Sequence, residues 1–139
     1  MADKKLHLKI ITQEKILVDE KVDAVYSKAI DGEFGILPGH IPYMTALDIS
    51  VTRYIKDKTT DFVSTIGGIF QVSDNNITIL SDTAELGSEI DIARANAAKD
   101  RAEARLRAAA RDIDADRAQT ALHRAIARIQ AASKMKSGY

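Results

Sequence analysis

The 139-residue sequence predicts an N-terminal antiparallel β-sandwich or flattened barrel followed by a C-terminal antiparallel αα-hairpin. Two observations support this fold class. Up to residue 86, short segments rich in β-branched and aromatic residues alternate with turn-forming residues and show no helical period. Past Gly87 the chain holds sixteen alanines and no proline, a composition typical of helices. We therefore expect a β domain at residues 1–86 and a two-helix domain at residues 87–139.

The strands are predicted from alternation and from the turns between them. Leu6 to Ile10 alternates apolar and polar residues, as a half-buried strand does. Asp57-Lys58 predicts a turn, and Ser73-Asp74-Asn75-Asn76 predicts a hairpin turn because Asp and Asn tolerate left-handed backbone. Gly67-Gly68 predicts a bulge or corner. The further predicted strands are Ile16–Val18, Val22–Ile30, Ile49–Ile55, Asp61–Ile66, Ile69–Val72 and Ile77–Leu80.

A loop is predicted from Asp31 to Leu47, where three glycines and both prolines of the chain fall within eleven residues. Glycine permits positive φ, and proline fixes φ and lacks a donor, so the segment is expected to follow a rigid path. The polar residues Glu33 and His40 would then be presented at fixed places for binding. Alternatively, the glycines and prolines only shape the loop, and His40 satisfies its own backbone.

Two helices are predicted past Gly87. Ser88 is expected to cap the first, with Asp91 completing a capping box, and the helix to run from about Glu89 to Ala109. Residues 111–114 interrupt the pattern, and Asp112 or Asp114 is expected to cap a second helix that extends to about Ala132.

The faces of the two helices predict a weakly held hairpin. Leu106 is the one large residue on the alanine face of the first helix, whereas the second helix has a clean apolar stripe at helical spacing. Burying a Leu or Ile contributes ~1.5–3 kcal/mol, against about 0.8 for one methyl group. The hairpin is therefore expected to undock more easily than the β domain unfolds. The first face contains Ala95, Ala98, Ala102, Leu106 and Ala109, and the second Ala115, Ala118, Leu122, Ala125, Ile126 and Ile129.

The zero net charge of the chain conceals an asymmetry. Residues 1–86 hold nine Lys and Arg against thirteen Asp and Glu, whereas residues 87–139 hold eleven against seven. The two parts are thus equipped for different partners. Cysteine is absent, and neither a signal-peptide pattern nor a stretch of ~18 apolar residues is found. A soluble cytoplasmic protein without a disulfide framework is expected.

The run Gly-Glu-Phe-Gly-Ile-Leu-Pro-Gly-His-x-Pro, residues 32–42, resembles the signature of the epsilon subunit of F-type ATP synthases. The two-part layout extends the resemblance over essentially the whole chain. It implies a non-catalytic central-stalk (rotor) subunit that couples proton-driven rotation to ATP synthesis. Glu33, His40 and Pro42 would dock on the membrane c-subunit ring and the gamma shaft subunit. The subunit would lie at the cytoplasmic face of the bacterial plasma membrane, or on a plastid thylakoid, without inserting into the membrane.

The resemblance also implies a regulatory role for the hairpin. Extended along the shaft, the hairpin would meet the alpha and beta catalytic subunits and block ATP hydrolysis. No cofactor is required, and ATP is the expected regulatory ligand of the folded form.

Residues 90–95, Ile-Asp-Ile-Ala-Arg-Ala, are similar to the motif with which some bacterial epsilon subunits bind ATP. Asp91 could accept from the adenine amino group and Arg94 could hold phosphate. Alternatively, this segment is only the first turn of a helix, and the arginines form a solvated basic face. Arg105 shares a helical face with Arg94 and Arg101. The candidate nucleotide-binding residues are Glu85, Ile90, Asp91, Arg94, Ala95, Arg101, Arg124 and Arg128.

Two alternative hypotheses assign the chain a function outside this family. The arginine-rich hairpin could form a nucleic-acid-binding module, although its helices lack aromatic residues for stacking on bases. A small enzyme could use Glu33 and His40 as an acid/base pair. The sequence shows no Walker-type loop and no His-x-x-x-His pair, and it lacks the Gly and distal Glu of a calcium loop near Asp112, Asp114 and Asp116. Neither a catalytic residue nor a metal ligand is therefore expected.

Overall fold

A computed structural model describes residues 4–109 and 111–137, without the side chains of Asp112, Lys136 and Ser137. Two five-stranded sheets form a sandwich, and two helices pack on the outside of the second sheet. The strands are β1 (Leu6–Ile11), β2 (Ile16–Val22), β3 (Ala24–Ala29), β4 (Gly32–Ile36), β5 (Tyr43–Ala46), β6 (Ile49–Lys56), β7 (Thr59–Ile66), β8 (Ile69–Ser73), β9 (Asn76–Leu80) and β10 (Thr83–Leu86). A 3-10 turn at Gly87–Glu89 leads to α1 (Ile92–Ala108) and α2 (Asp112–Ser137).

Sheet A has the strand order β2-β1-β9-β8-β5, and sheet B the order β10-β7-β6-β3-β4. All neighbours in both sheets are antiparallel except β1 and β9, which are parallel. The predicted sandwich is confirmed, with this one parallel pair as the difference. The pairing joins strands that are remote in sequence, so no local pattern marks it.

The predicted turns at Asp57-Lys58 and Asp74-Asn75 have positive φ at both residues and connect β6 to β7 and β8 to β9. The predicted corner at Gly67-Gly68 carries the chain from sheet B to sheet A, also with positive φ. A Cβ on Gly68 would lie 2.1 Å from the carbonyl oxygen of Leu80, so glycine is required there.

Several boundaries differ from the predictions. The predicted loop from Asp31 to Leu47 contains β4 and β5, and only residues 37–42 connect them. Phe34 and Ile36 face the sandwich core, which makes β4 a strand in spite of its two glycines. The predicted strand Val22–Ile30 is divided at Asp23, where the chain passes from sheet A to sheet B. The short strand β10 was not predicted because Thr-Ala-Glu-Leu carries little apolar alternation.

The capping prediction for the first helix was wrong. Ser88 lies in the 3-10 turn, and Asp91 caps α1, since its Oδ1 accepts from the Arg94 amide at 3.0 Å. Ile90 is extended and buried, so the helix cannot begin before it. α2 begins at Asp112, which places Asp114 inside its first turn, where a carboxylate is favoured by the helix dipole but is not a cap. The side chain of Asp112 lies outside the described residues.

The sandwich and the hairpin have separate apolar cores that share β7. Val63 points into the sandwich, and its neighbour Phe62 points out towards the helices. The outer core joins Phe62 to Ile90, Ala95, Ala131 and Ala132. The chain therefore positions the hairpin through the outer face of sheet B.

Candidate functional site

The predicted docking residues lie on β4 and on the connection at residues 37–42. Glu33 is exposed on β4, directly opposite Lys28 on β3. His40 bonds locally, since its amide donates to the Leu37 carbonyl at 3.2 Å and its Nδ1 lies 2.6 Å from the Ile41 carbonyl oxygen. Nδ1 of His40 therefore has a backbone partner next to it, as the alternative hypothesis for this loop expects. Pro42 is exposed beside it.

The connection at residues 37–42 is held in place from both sides. The Gly39 amide donates to Oδ1 of Asn75 in the β8–β9 turn at 2.7 Å. The His40 ring lies 6.0 Å from the ring of Tyr43, which packs against the sandwich core. A rigid connection of this kind presents its apolar side chains Leu37 and Ile41 to solvent.

An exposed apolar row crosses the outer face of sheet A, and sequence reasoning missed it. The register aligns Ile11 with Leu80, Leu80 with Ile69, and Ile69 with Ala46. Ile16 on β2 extends the row beyond Ile11. Leu80 and Ile69 are 51% and 47% exposed, so the described part of the chain leaves the middle of the row open to solvent. The signal in the sequence is the apolar pairs Ile10-Ile11 and Ile79-Leu80, each of which must turn one member outward.

The candidate nucleotide-binding residues lie on β10, α1 and α2 and on the segment that leads into α1. Arg128 Nε donates to Oε1 of Glu85 at 2.8 Å, so these two are brought together as an ion pair across α2 and β10. Ile90 and Ala95 are buried in the outer core. Asp91 caps α1, because its Oδ1 accepts a hydrogen bond from the Arg94 amide.

Arg94, Arg101 and Arg124 are exposed. In the described part of the chain, no ion pair or side-chain hydrogen bond joins any of the three guanidinium groups to another residue. These cations remain available to an anion from outside. The basic-face prediction thus holds for Arg124 but not for Arg128, which is half-buried against Glu85.

The described residues bring together neither the hypothetical acid/base pair nor a cluster of metal-ligating side chains. Glu33 and His40 share no hydrogen bond or ion pair in the described ranges, so they do not form the acid/base pair of the small-enzyme hypothesis. Among residues 4–109 and 111–137 no group of three metal-ligating side chains comes together. Neither helix in that part of the chain is long and apolar enough to span a membrane.

Two family models together match almost the whole chain. The model described as "ATP synthase, Delta/Epsilon chain, beta-sandwich domain" matches residues 5–87, and "ATP synthase, Delta/Epsilon chain, long alpha-helix domain" matches residues 88–133.

Curated relatives are similar over most of their length. The chain is 47% identical over 104 residues to the ATP synthase epsilon chain of Nitratidesulfovibrio vulgaris strain DP4, covering 75% of this chain and 78% of the relative. It is 47% identical over 110 residues to that of Lawsonia intracellularis, with 79% and 83% covered. For Carboxydothermus hydrogenoformans the identity is 42% over 106 residues, with 76% and 78% covered.

Solved structures share the fold. One chain of the mitochondrial ATP synthase of Euglena gracilis (OSCP/F1/c-ring, rotational state 1) superposes with a TM-score of 0.80 at 23% identity, covering 93% of this chain and 81% of that one. A chain of the Tetrahymena thermophila mitochondrial ATP synthase (central stalk/c-ring) gives a TM-score of 0.58 at 13% identity, with 97% and 98% covered.

Proposed function

Because the chain belongs to the epsilon-subunit family of F-type ATP synthases, we propose that it docks on the rotor through its sandwich and regulates ATP hydrolysis through its hairpin. Members of this family are structural and regulatory subunits, not the catalytic ones. The structurally similar chains come from mitochondrial ATP synthase assemblies with a c-ring and, in one of them, the central stalk. The proposed partners are accordingly the gamma shaft, the c-subunit ring, and the alpha and beta subunits. The chain would lie peripherally at the cytoplasmic face of a bacterial plasma membrane.

The observation that carries the docking proposal is the apolar row on sheet A. An apolar surface of this kind on a soluble domain marks a place where a partner binds. The row lies on sheet A, whereas α2 packs on β6 and β7 of sheet B, so the row would stay accessible whether the hairpin is docked or released. It consists of Ile16, Ile11, Leu80, Ile69 and Ala46. The shaft would cover this row, and Glu33, His40 and Pro42 would contact the ring and the shaft.

Charge insertion into the row tests the docking proposal. Leu80→Glu should weaken binding to the shaft subunit at least about tenfold, because a carboxylate would be buried without a partner. Lys21→Glu, on β2 of the same sheet but outside the row, is the matched control. Pull-down and surface plasmon resonance with purified shaft subunit measure the difference. Equal affinity of both variants would remove the row from the interface.

The regulatory proposal rests on how weakly the hairpin is held. Released from sheet B, the hairpin would extend along the shaft, and its basic residues would meet the catalytic subunits and block hydrolysis. Deleting residues 88–139 should therefore raise the ATPase activity of the complex and leave the sandwich folded, as monitored by circular dichroism. Unchanged ATPase activity of an assembled complex would contradict the inhibitory role.

ATP is the proposed ligand of the docked hairpin. Within residues 4–109 and 111–137, Arg94, Arg101 and Arg124 offer guanidinium groups without an ion pair or side-chain hydrogen bond, and the Glu85–Arg128 pair joins β10 to α2. Ile90, Asp91 and Ala95 would shape the site, since they fix the start of α1. Binding to the docked form alone would favour it by RT ln(1 + [L]/Kd), about 2.7 kcal/mol at a hundredfold excess.

Calorimetry of the isolated subunit tests the nucleotide site. Arg94→Ala should weaken ATP binding about tenfold or more, because a charge-assisted contact to phosphate is lost. Arg107→Ala, an exposed arginine on the same helix outside the proposed set, is the control. Identical affinities would remove the nucleotide site while leaving the docking proposal intact. No family model or relative reported above supports the nucleic-acid hypothesis.

A further inference from the structure

A thioether attaches the C-terminal part of α2 to strand β7. Sδ of Met135 lies 3.3 Å from the Phe62 nitrogen and accepts the hydrogen bond of its amide. Met135 is half-buried, and its side chain packs against the outer core that contains Phe62, Ile90 and Ala131. A methionine sulfur is only a weak acceptor, so a change at this one atom can disturb the contact.

The Phe62 amide is directed towards a place where strand β10 has ended. The two-residue turn between β6 and β7 makes hydrogen-bonded and non-hydrogen-bonded pairs alternate, and Phe62 with its partner Arg53 falls in a non-hydrogen-bonded pair. The Phe62 N–H therefore points away from β6, to the side on which β10 lies. There the register of β10 with β7 ends at the pair Leu86–Val63, next to Phe62. Met135 thus takes the place that a longer β10 would occupy.

The thioether has little room in this place. A Cβ on Gly87 would lie 2.5 Å from Cγ of Met135, so the side chain lies directly against the Gly87 backbone. The sulfur and the Phe62 nitrogen are 3.3 Å apart, whereas an N–H···O bond alone takes about 2.9–3.0 Å between its heavy atoms. An oxygen atom bound to the sulfur therefore cannot lie between the two unless the sulfur withdraws from β7.

We propose that Met135 is an oxidation site that controls whether the hairpin stays docked. Hydrogen peroxide transfers one oxygen atom to a lone pair of the sulfur while its O–O bond breaks, so that the thioether becomes a sulfoxide and the peroxide becomes water. Turned towards β7, the new oxygen forces the sulfur away. Turned away from β7, it leaves the positive sulfur of the sulfoxide facing the Phe62 N–H. Both arrangements weaken the contact and place a polar group beside an apolar core, so the hairpin is released.

The position of Met135 distinguishes it from the other methionines of the chain. The sequence contains three, of which Met1 lies outside the described residues. Met44 is 62% exposed on β5 of sheet A, whereas α2 packs on sheet B. Met44 should therefore be oxidised at least as readily as Met135, but without an effect on docking. It provides an internal control in the same chain.

Oxidation has a consequence for the motor, which rests on the proposed regulatory function. A hairpin released by the sulfoxide would be free to extend and inhibit ATP hydrolysis when oxidants are present. The effect is reversible, because methionine sulfoxide reductases restore the thioether, with one enzyme for each epimer of the sulfoxide.

Hydrogen exchange of the full-length chain before and after treatment with hydrogen peroxide tests the oxidation site. Peptide mapping by mass spectrometry measures the sulfoxide at each methionine. In chains with the sulfoxide at Met135, exchange in residues 125–135 should become at least about tenfold faster, with unchanged protection in β1 and β9. Reduction by the two sulfoxide reductases together should restore the original exchange.

Two variants assign the effect to one sulfur. Met44→Leu leaves Met135 as the one methionine in the described part of the chain, and it should respond to peroxide as the native chain does. Met135→Leu conserves the volume of the side chain but cannot form a sulfoxide, so peroxide should not change its exchange. Should Met135→Leu exchange fast before oxidation, Met44→Leu decides the question alone.

Three results would overturn the proposal. These are unchanged exchange in α2 when Met135 is oxidised, loss of the response in Met44→Leu, and formation of the Met135 sulfoxide only under conditions that also unfold the sandwich. The ATPase activity of the assembled complex is measured separately. Faster exchange in α2 with unchanged ATPase activity would leave the oxidation site standing and remove the inhibitory role of the hairpin.

Discussion

The sandwich and the hairpin are held by cores of opposite character. Inside the sandwich the fully buried side chains are large, with Phe70, Leu8 and Ile79 among them. The outer core has only two large buried side chains among the described residues, Phe62 and Ile90, and they pack among alanines of α1 and α2. Each large side chain contributes ~1.5–3 kcal/mol on burial and each methyl about 0.8, so the same chain contains a firmly folded region and a releasable one.

Strand β7 contributes to both cores, and it shows how the hairpin can be released while the sandwich stays folded. Val63 faces the sandwich and keeps its neighbours when the helices depart, whereas Phe62 on the other face loses its cover. Met135 also accepts from the Phe62 amide, with 3.3 Å between Phe62 N and Met135 Sδ. Release of the hairpin therefore exposes one ring and one strand amide but leaves the sheet paired.

The largest expected effect comes from creating a cavity in the core of the sandwich. Phe70→Ala should destabilise the whole chain by about 3–5 kcal/mol, because a fully buried ring is removed and the hairpin needs sheet B as its platform. Urea denaturation followed by circular dichroism measures the loss.

Phe62→Ala is the matched substitution in the other core. It should release the hairpin while the sandwich unfolds near its native midpoint. The distinction between the cores would fail if Phe62→Ala unfolded the sandwich as completely as Phe70→Ala.

A smaller effect is expected at the contact between the 3-10 turn and α2. A Cβ on Gly87 would lie 2.5 Å from the Ala131 carbonyl oxygen and from Cγ of Met135. Gly87→Ala should therefore weaken docking by about 1–3 kcal/mol, as overpacking does. Hydrogen exchange should show faster exchange in α2 and unchanged protection in β1 and β9. Ala93→Ser on the exposed side of α1 is the control, and equal loss of protection in both domains would show that they unfold as one unit.

Local features of the fold were predictable from the sequence, and long-range pairings were not. Asp57-Lys58 and Asp74-Asn75 determine their own turns, because the left-handed backbone that they adopt is a property of the residues. The edge strands β4, β5 and β10 acquire their structure from a neighbour. Gly35 illustrates this, since its space is taken by the Tyr26 ring on the next strand.

The candidate sites also differ in whether their residues are close together in the sequence or only in the fold. The proposed docking residues Glu33, His40 and Pro42 lie within one short run, residues 32–42, and the second motif is the run at residues 90–95. The resemblance of both runs to a family could therefore be seen directly. The apolar row on sheet A depends on the register of five strands, and the contact of Met135 with β7 on where α2 crosses sheet B. The Glu85–Arg128 pair joins residues that are 43 positions apart, and only the docked hairpin brings them together.

That pair offers a third and weaker test of the hairpin. Glu85→Gln should reduce docking by about 0.2–1 kcal/mol, since both side chains are partly exposed and the pair is screened by solvent. The loss should shrink in high salt, which would distinguish it from the packing defect of Gly87→Ala. Hydrogen exchange of α2 at two salt concentrations measures it, with Glu89→Gln as the control. A salt-independent loss would assign Glu85 a packing role.

The smallest effect is expected in the ion pairs of the sandwich, and it should appear only in acid. Lys5 Nζ at 3.0 Å and the Asp57 amide at 3.0 Å hold the pKa of Asp23 below its usual value. A lowered folded-state pKa stabilises the fold above the unfolded value of about 3.9, and this contribution disappears as the pH falls through the folded value. Asp23→Asn should thus be slightly less stable than the native chain at pH 7, and in urea denaturation the two should converge as the pH falls below the unfolded value of about 3.9. Glu14→Gln, which changes an exposed carboxylate in the β1–β2 connection without an ion pair in the described chain, should show no such convergence. A constant difference from pH 7 to pH 2.5 would mean that Asp23 acts through its hydrogen-bond geometry at the β2–β3 corner and not through its charge.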